Sequence, residues 1–309
     1  MKKRDLLSIV DLSPEEIQGV LDRAVEMKKD APSHCLAGKS VAMLFEKPSL
    51  RTRVSFDLAV HTLGGHSIYL DRDEVGLGSR EGISDIGQVL SRYVDAVVAR
   101  TFSHQTLVAL ASYATVPVVN ALSDMEHPCQ ALGDLLTIKE QRTGGSLKGL
   151  TIGFIGDGNN VAASLALGAA SIGVSFAIAC PAGYELPEHV ATQAQDLART
   201  SGATIRQLRD PKEAVDQADV VYTDVWVSMG HEAQRDQRRN DFQEYQVTPE
   251  LMVLAHPKAV FMHPLPAHHG EEVAEGMLEH HQSVVFDQAE NRLHVQKAVL
   301  ELLLDGGKS

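Results

Sequence analysis

Cysteine is scarce in this chain, which has three, Cys35, Cys129 and Cys180, among 309 residues. An odd number of cysteines without CxxC spacing excludes a disulfide framework and a zinc knuckle, so reduced thiols are predicted. The 14 histidines show no HExxH spacing, and adjacent histidines are typical of solvent-facing loops. The sequence therefore predicts no metal site and no bound cofactor.

Long apolar runs are also missing. No stretch approaches the roughly 20 apolar residues that cross a bilayer. The start, Met1 to Asp5, is basic on balance, but a short apolar stretch and then Asp11 and Glu15 follow it, which does not match a secretory signal. We therefore expect a cytoplasmic protein that does not associate with membranes.

Positive charge is in deficit, because 28 lysines and arginines face 41 acidic residues and leave a formal net charge of -13. Such a chain repels nucleic acid and anionic membranes, so neither is predicted as a partner. Any anion that it binds must be held by a local cluster of cations. Hydrophobic residues make up 44%, which is typical of a globular protein with an ample core.

Strand and helix patterns alternate along the chain. Ser13 before Pro14 predicts a helix N-terminus, and a second helix is predicted from Ser49 to the Gly64-Gly65 stop. Because 309 residues exceed the usual size of one core, this alternation predicts an α/β fold of two domains, each a mainly parallel sheet flanked by helices. Strands are predicted at 40–45, 67–70, 96–99, 116–120, 150–155, 175–179, 220–223 and 260–262.

The domain boundary is predicted near the Gly144-Gly145 turn, since a Gly pair between periodic segments marks a break. The predicted domains are 1–140 and 141–288. The remaining segment, 289–309, has the apolar spacing of an amphipathic helix, and we expect it to pack back on the first domain.

The segment Ser49-Leu50-Arg51-Thr52-Arg53 lies where a strand ends and a helix begins. The N–H groups and the positive dipole end of a helix N-terminus favour an anion, and a guanidinium can hold phosphate through two parallel bonds. Successive helical residues point about 100° apart, so only one of the two arginines can face the ligand, and the other is expected to brace the fold. A capped helix with two surface arginines is the alternative.

Three other segments follow predicted strands and carry polar side chains. His127 and Gln130 precede a helix and can hydrogen-bond a carbonyl or carbamoyl group, although capping or packing also explains them, and Cys129 fits a small buried thiol better than a nucleophile. Asp224 can pair with an ammonium group or cap a helix, and the turn after His263 is held rigid by two prolines.

The segment from Gly153 to Asn160 resembles a dinucleotide fingerprint only in part. Val161 stands where the third glycine of GxGxxG is needed, and the next strand ends at Cys180-Pro181 without the acidic residue that binds a ribose. Asn159 and Asn160 can instead present amides to a polar substrate. A nicotinamide-dependent dehydrogenase is thus a disfavoured alternative.

Six motifs in order, with sensible spacing, resemble those of the ornithine carbamoyltransferases and cover nearly the whole chain. The resemblance implies two α/β domains that bind carbamoyl phosphate and L-ornithine in the cleft between them, and a homotrimer or a higher assembly of trimers. It implies citrulline and phosphate as the products. It also implies a role in arginine metabolism, with biosynthesis favoured over breakdown. The motifs are EKPSLRTRVSF (46–56), HPCQ (127–130), GDGNN (156–160), DVWVSMG (224–230), HPLPA (263–267) and NRLH (291–294).

The resemblance also implies roles for particular residues. Catalysis would rest on Arg51, Arg100, His127 and Asp224. Carbamoyl phosphate would be bound by Ser49, Leu50, Arg51, Thr52, Arg100, His127, Gln130, Pro264, Leu265 and Arg292. Ornithine would be bound by Asn160, Asp224, Ser228 and Met229.

Three residues depart from the family pattern. Pro264 stands where the family commonly has a cysteine beside the substrate amine, so altered ornithine handling is expected more readily than loss of the reaction. Leu50 replaces the usual threonine, which matters little if its backbone makes the contact. Gly76 stands where many members have a glutamine that reaches a neighbouring subunit, and Arg80 in the same loop is a candidate to substitute for it.

Several alternatives stay open. The HPLP spelling is similar to the aspartate carbamoyltransferases, whereas SMG (228–230) is of the ornithine type. Acetylated ornithine and putrescine are further possible acceptors. A relative that binds ligand without catalysis is the alternative outside the enzymes.

Overall fold

The computed structural model describes residues 3–29, 33–76, 80–141, 145–228 and 232–305. The strands are β1 (Ser40–Phe45), β2 (His66–Asp71), β3 (Ala96–Arg100), β4 (Val118–Leu122), β5 (Thr151–Ile155), β6 (Ser175–Ala179), β7 (Ile205–Leu208), β8 (Val220–Thr223) and β9 (Val260–Met262). The helices are α1 (Pro14–Lys28), α2 (Leu50–Thr62), α3 (Arg72–Val75), α4 (Ile83–Leu90), α5 (His104–Tyr113), α6 (Pro128–Glu140), α7 (Asn160–Ser171), α8 (Glu188–Ser201), α9 (Pro211–Val215), α10 (Arg235–Asp241), α11 (Pro249–Met252) and α12 (Val285–Leu304).

The chain divides into two compact units. The first comprises Met1–Leu136 with Glu290–Ser309, and the second comprises Thr137–Ala289. The first unit contains a four-stranded sheet in the order β2-β1-β3-β4, and the second a five-stranded sheet in the order β7-β6-β5-β8-β9. All of these strand pairs are parallel, so the prediction of two parallel sheets flanked by helices is confirmed.

Local sequence signals explain several helix ends. Ser13 caps α1 through a capping box with Glu16, and Pro14 occupies the first helical position.

The predicted fourth strand is displaced by two residues, because Val118 rather than Val116 begins β4. Pro117 has no N–H to donate, although its carbonyl accepts a 2.9 Å bond from the Val97 N–H.

The C-terminal helix α12 is anchored within the first unit. Lys28 on α1 donates a 2.9 Å bond to the side-chain oxygen of Asn291, and Lys39 donates a 2.9 Å bond to the carbonyl of Leu304. Arg23 donates a 3.0 Å bond to Glu301. These contacts fix the part of α12 that carries Arg292, which follows Asn291 directly in the chain and is 4% exposed.

Each unit has its own apolar core. In the first, Ala42, Val97 and Leu110 belong to one buried cluster, and in the second, Ile155, Val221 and Phe261 belong to another. Within the residues described, no helix combines the length and the apolar character needed to cross a membrane. Since β1, β3, β5 and β8 are inner strands, the polar residues that follow them are held by buried scaffolds.

Candidate active site

The N-terminus of α2 follows β1 and presents a hydroxyl pair. Ser49 caps the helix by accepting a 3.4 Å bond from the Thr52 N–H, and its own hydroxyl lies 3.0 Å from the Thr52 hydroxyl. The first N–H groups of a helix have no intrahelical acceptor, so this end favours an anion. Thr52 is fully buried, whereas the Leu50 side chain is 76% exposed, so any contribution of Leu50 to binding is a backbone one.

Three arginines, Arg51, Arg100 and Arg292, converge on this helix end. Arg292 on α12 donates a 2.8 Å bond from Nη2 to the Thr52 hydroxyl. Arg100 is 4% exposed at the end of β3, where the pairing with β4 shifts register between Ala99 and Arg100. Such an irregularity re-aims a side chain at a strand end.

The positive charges of these arginines affect the pKa of Arg100. Burial and the positive charges of Arg292 and Arg51 lower the pKa of Arg100 to about 10. Burial also lowers the pKa of Arg51. This fall in the Arg100 pKa corresponds to roughly 3 kcal/mol of destabilisation of its charged form. An anion at this place offsets that cost by direct attraction.

His127 immediately precedes α6 and is affected by the charges of the same cations. Its imidazole is 5% exposed, and burial together with the charges of Arg292 and Arg100 holds its pKa well below its usual range. The ring is therefore neutral at physiological pH, with one N–H to donate and one nitrogen to accept. Gln130, 1% exposed, follows it in the first turn, where its N–H donates a 3.0 Å bond to the His127 carbonyl.

Cys129 fits the packing role rather than a nucleophilic one. It is fully buried, its thiol lies 3.7 Å from the Asn120 carbonyl, and burial raises its pKa to about 12. A thiol that stays protonated at neutral pH is a poor nucleophile.

Asp224 directly follows β8 in the second unit and is 8% exposed. One carboxylate oxygen accepts a 2.8 Å bond from the Val225 N–H, and the other accepts a 2.8 Å bond from the Asn159 amide. Burial raises the pKa of Asp224, and the carboxylate of Glu272 acts in the same direction, while His263 and the hydrogen bond from Asn159 lower it.

Asn159 is the asparagine that the structure ties to Asp224. Its side-chain oxygen caps α7 by accepting from the N–H groups of Val161 (2.9 Å) and Ala162 (3.1 Å), which leaves its amide NH₂ for Asp224. The same NH₂ lies 3.4 Å from the Ser228 hydroxyl. The sequence prediction assigned binding to Asn160, the first residue of α7. The N-cap preference of asparagine was the signal that separates the two positions.

Arg238 on α10 anchors the loop after Asp224 at Trp226. Arg238 forms a buried ion pair of 2.7 Å with Asp157 and donates a 3.0 Å bond to the Trp226 carbonyl. Trp226 itself is 4% exposed and stacks on Phe242 with ring centroids 5.9 Å apart, which agrees with a packing role. Ser228 is half-buried within this loop, and the predicted ligand Met229 lies outside the described residues.

The HPLP turn is held by a buried pair of side chains. His263 and Glu272 are fully buried, with 3.2 Å between the imidazole Nε2 and the carboxylate. His263 Nδ1 accepts a 2.9 Å bond from the Leu265 N–H, so Nε2 carries the proton that points to Glu272. Leu265 has a φ of 57°, which lies in the left-handed region. For a residue other than glycine this backbone conformation is unfavourable in free energy. Pro264, the preceding residue, is half-buried.

The glycines of GDGNN serve the chain's own packing. A Cβ on Gly158 would lie 2.4 Å from the backbone of Glu185 and Leu186, and the Gly158 N–H already donates a 2.8 Å bond to the Tyr184 carbonyl. In a dinucleotide site these groups would face a pyrophosphate. The dehydrogenase alternative therefore has no support at this loop.

Arg53 points away from the arginine cluster. Its guanidinium lies 3.8 Å from the ring centroid of Tyr69 on β2, where it braces α2 against the sheet. Gly76 has a φ of 57°, and its carbonyl accepts a 2.8 Å bond from the Arg80 N–H. The residues between them, 77–79, lie outside the described residues.

One group of side chains among the described residues has the composition of a metal site. Ligand atoms of His268, Glu271 and Glu272 lie within 4.8 Å of one another. The protein already uses them, because Glu272 accepts a 2.6 Å bond from the His268 N–H and Glu271 pairs with Arg239. These internal bonds account for the cluster without an ion.

Comparisons with known proteins agree with this division into two half-sites. Residues 4–140 match the model of the aspartate/ornithine carbamoyltransferase carbamoyl-P binding domain, and residues 148–303 match that of the Asp/Orn binding domain. An ornithine carbamoyltransferase of Pyrococcus abyssi is 49% identical over 100% of this chain and 98% of its own. An anabolic ornithine carbamoyltransferase of Pyrococcus furiosus is 49% identical, over 99% and 98% of the two chains.

A solved structure is similar over the same extent. The ornithine carbamoyltransferase from Pyrococcus furiosus superposes with a TM-score of 0.94 at 49% sequence identity, covering 99% of this chain and 98% of that one. The likeness therefore extends to the fold of both units and is not confined to the short motifs.

Proposed function

The chain belongs to the aspartate/ornithine carbamoyltransferase family and is a carbamoyltransferase, and we propose that its reaction transfers the carbamoyl group of carbamoyl phosphate to the side-chain amine of L-ornithine. The products are L-citrulline and phosphate. The observation that carries this proposal is the convergence of Arg51, Arg100 and Arg292, with lowered pKa values at Arg51 and Arg100, beside a neutral His127.

The phosphate end of the donor is assigned to the N-terminus of α2. Ser49, Thr52 and the backbone of Leu50 supply hydrogen-bond donors, while the three guanidiniums supply charge. Arg292 is already held at Thr52 by its 2.8 Å bond, so one contact orients both groups. Fixed cations at a developing charge stabilise the transition state because they need no reorganisation.

The carbamoyl end is assigned to His127 and Gln130. A neutral imidazole N–H donates to the carbamoyl oxygen, and this donation strengthens as the oxygen gains negative charge. The low pKa of His127 keeps the ring in this neutral form. Pro264 and the backbone of Leu265 complete the donor site in our proposal.

The acceptor is assigned to the second unit. Asp224 pairs with the α-ammonium group of ornithine, and Asn160, Ser228 and Met229 contribute the remaining contacts. The observed Asn159 amide orients Asp224 through its 2.8 Å bond. The side-chain amine of ornithine must be deprotonated, because only its lone pair attacks the carbamoyl carbon.

The reaction balances without a metal or a cofactor. The amine nitrogen forms a bond to the carbamoyl carbon, a tetrahedral oxyanion results, and the C–O bond to phosphate then breaks. The departing phosphate accepts the proton that the amine nitrogen loses. Arg51 and Arg100 stabilise the oxyanion and the leaving group, and holding both substrates in place removes much of the entropic barrier.

Pro264 bears on the choice of acceptor. No thiol stands at this position, so the amine is not assisted there, and altered ornithine handling is expected rather than loss of transfer. Aspartate, N-acetylornithine and putrescine are the acceptors to be tested against ornithine.

We further propose that the enzyme is a cytoplasmic homotrimer, or an assembly of such trimers, that serves arginine biosynthesis. An apolar stripe on α2 supports the assembly, because Leu50, Val54 and Leu58 are 76%, 47% and 43% exposed at four-residue spacing. Free Cys35, Cys129 and Cys180 support a reducing compartment. The anabolic relative supports the biosynthetic direction.

Purified protein given carbamoyl phosphate with each of the four acceptors tests the proposal by phosphate release and by the carbamoylated product. Turnover with ornithine at the highest kcat/KM is expected. Turnover with aspartate alone would overturn the ornithine assignment, and no turnover with any acceptor would favour a protein that only binds ligand. Sedimentation of the same sample gives the oligomeric state, for which three chains are expected.

A further inference from the structure

Two polar side chains on one face of α6 form a buried pair. Gln130 and Asp134 are one turn apart, at 1% and 0% exposure. The Gln130 amide nitrogen Nε2 donates a 2.8 Å bond to Asp134 Oδ1. Residues at this four-residue spacing face each other on a helix, so the contact is built into the helix itself.

The chemistry of this pair fixes the orientation of the Gln130 amide. An ionised carboxylate only accepts hydrogen bonds, so the amide NH₂, and not the amide oxygen, must face Asp134. A half-turn of the amide would set two oxygens against each other in a buried place, which costs the full desolvation of both. The amide oxygen of Gln130 is therefore directed away from Asp134 as a hydrogen-bond acceptor.

The position of Gln130 makes this orientation relevant to the donor. The backbone N–H of Gln130 donates a hydrogen bond to the carbonyl of His127. The charges of Arg292 and Arg100 help to lower the pKa of the His127 imidazole. Gln130 thus lies in the helical turn that follows His127, the residue on which the arginine charges act. A glutamine oxygen there accepts from an NH₂ group of a donor but has no favourable contact with a methyl group of the same size.

We propose that Asp134 is a positioning residue that makes the site select carbamoyl phosphate over acyl phosphates with a methyl group, by holding the Gln130 amide oxygen toward the donor. This inference rests on the proposed function. It concerns the donor alone, and turnover of carbamoyl phosphate with ornithine by the wild-type enzyme tests the proposed function separately.

The experiment compares three probes: carbamoyl phosphate through its KM, and acetyl phosphate and inorganic phosphate through their inhibition constants against it. Asp134→Asn keeps the size of the side chain but can donate to Gln130 Oε1, which allows the amide to turn. The preference for carbamoyl over acetyl phosphate is expected to fall about tenfold, the effect of roughly one hydrogen bond. Inhibition by inorganic phosphate, which has no NH₂ group, should stay within about twofold.

The double variant Gln130→Glu with Asp134→Asn is the matched control. Its carboxylate at 130 accepts from the new amide at 134 and leaves its second oxygen for the donor, so acceptor chemistry is restored. The moved charge weakens acetyl and carbamoyl phosphate alike and cancels in their ratio. The preference is therefore expected to return to within about twofold of the wild-type value.

The outcomes separate the alternatives. A lowered preference in Asp134→Asn with unchanged phosphate inhibition, restored in the double variant, supports the positioning role. An unchanged preference in Asp134→Asn overturns it, as does an equal loss of affinity for all three probes, which indicates a merely structural residue. If Asp134→Asn does not fold, the double variant alone decides, and a tenfold lower preference there overturns the proposal.

Discussion

In the first unit, like charges are brought together, since the guanidiniums of Arg51, Arg100 and Arg292 act on one another or on the same neighbours. In the second unit, buried charges meet complementary groups: Asp157 pairs with Arg238, Glu272 with His263, and Asp224 accepts two hydrogen bonds. The first half-site stores unfavourable electrostatic energy, and the second has already satisfied most of its own.

This difference matches the two kinds of ligand that we assign. A phosphate brings negative charge, so a cluster of mutually repelling cations gains most when it binds. An amino acid brings an ammonium group and a carboxylate, for which an oriented and partly satisfied network offers direction more than charge. Breaking the first half-site should therefore affect binding and rate strongly, while breaking the second should affect the acceptor selectively.

The largest effect is expected for Arg51→Ala. Removing one of the cations that face the transferred group should lower kcat/KM for carbamoyl phosphate by about a thousandfold. Steady-state kinetics with saturating ornithine measures this. Arg53→Ala is the matched control in the same segment, because Arg53 lies over Tyr69; it should retain turnover within about threefold. Equal losses in the two variants would place the anion site elsewhere.

Asp224→Asn comes next, with an expected fall of about a hundredfold in kcat/KM for ornithine and little change in the KM for carbamoyl phosphate. The variant loses the charge that pairs with the ammonium group but keeps an oxygen that can accept from Asn159. If the KM values for both substrates rise together, the two half-sites do not divide the substrates as we propose.

The same variant has a pH-dependent effect on stability. Because burial raises the folded-state pKa of Asp224, ionisation costs folding free energy that is absent when the carboxyl is protonated. The wild-type enzyme should therefore lose stability relative to Asp224→Asn as pH rises from the unfolded pKa of about 3.9 through the folded pKa. Urea unfolding across this range measures the difference, and an opposite slope would show that Asp224 is stabilised in its charged form.

Arg100→Met is expected to stabilise the unliganded protein by about 1 to 3 kcal/mol, because a buried charge among like charges is replaced by an apolar side chain of similar length. Inorganic phosphate should stabilise the wild-type protein by about 2.7 kcal/mol at a hundred times its dissociation constant, and the variant much less. Thermal unfolding with and without phosphate tests both statements. A destabilised variant that still responds to phosphate would contradict the charge cluster.

The smallest expected effect concerns the pH dependence of kcat, which should not change when His127 is replaced. His127 keeps a pKa well below its usual range, so it stays neutral from about pH 7 to 8 and its charge does not change there. The ratio of kcat between the wild type and His127→Asn should be constant across this range. A ratio that changes with the titration of an imidazole would mean that His127 is protonated during turnover.

Much of the fold was predictable from local patterns. Short-range preferences predict the cap at Ser13, the strand 40–45 and the helix after Ser49. The structure has α1, β1 and α2 at these places, in that order. The shift of the fourth strand was not predictable, because its pairing is decided by β3 rather than by its own residues. Helices α4, α5 and α8 were not predicted, since their stability comes from packing.

The candidate site was predictable by composition more than by arrangement. Motif resemblance singled out Ser49, Arg51, Thr52, His127 and Asp224, which the structure places at strand or helix ends. Its assignment of Asn160 to ornithine stays a prediction, while the observed bond to Asp224 comes from Asn159. It missed Arg238 and Glu272, whose partners are set by tertiary contact and which no local pattern identifies. It also missed Asp134, for which the four-residue spacing from Gln130 was a local signal.

The sequence by itself determined which chemical groups are available: a capped helix start with two arginines, a histidine before a helix, an acidic residue after a strand, and no thiol at position 264. Only the tertiary structure decided how they act together. The approach of Arg100 and Arg292, distant in the chain, makes a candidate anion site from single cations, because electrostatic energy depends on separation in space and on burial. The same rule makes Arg53, two residues from Arg51, a brace against Tyr69.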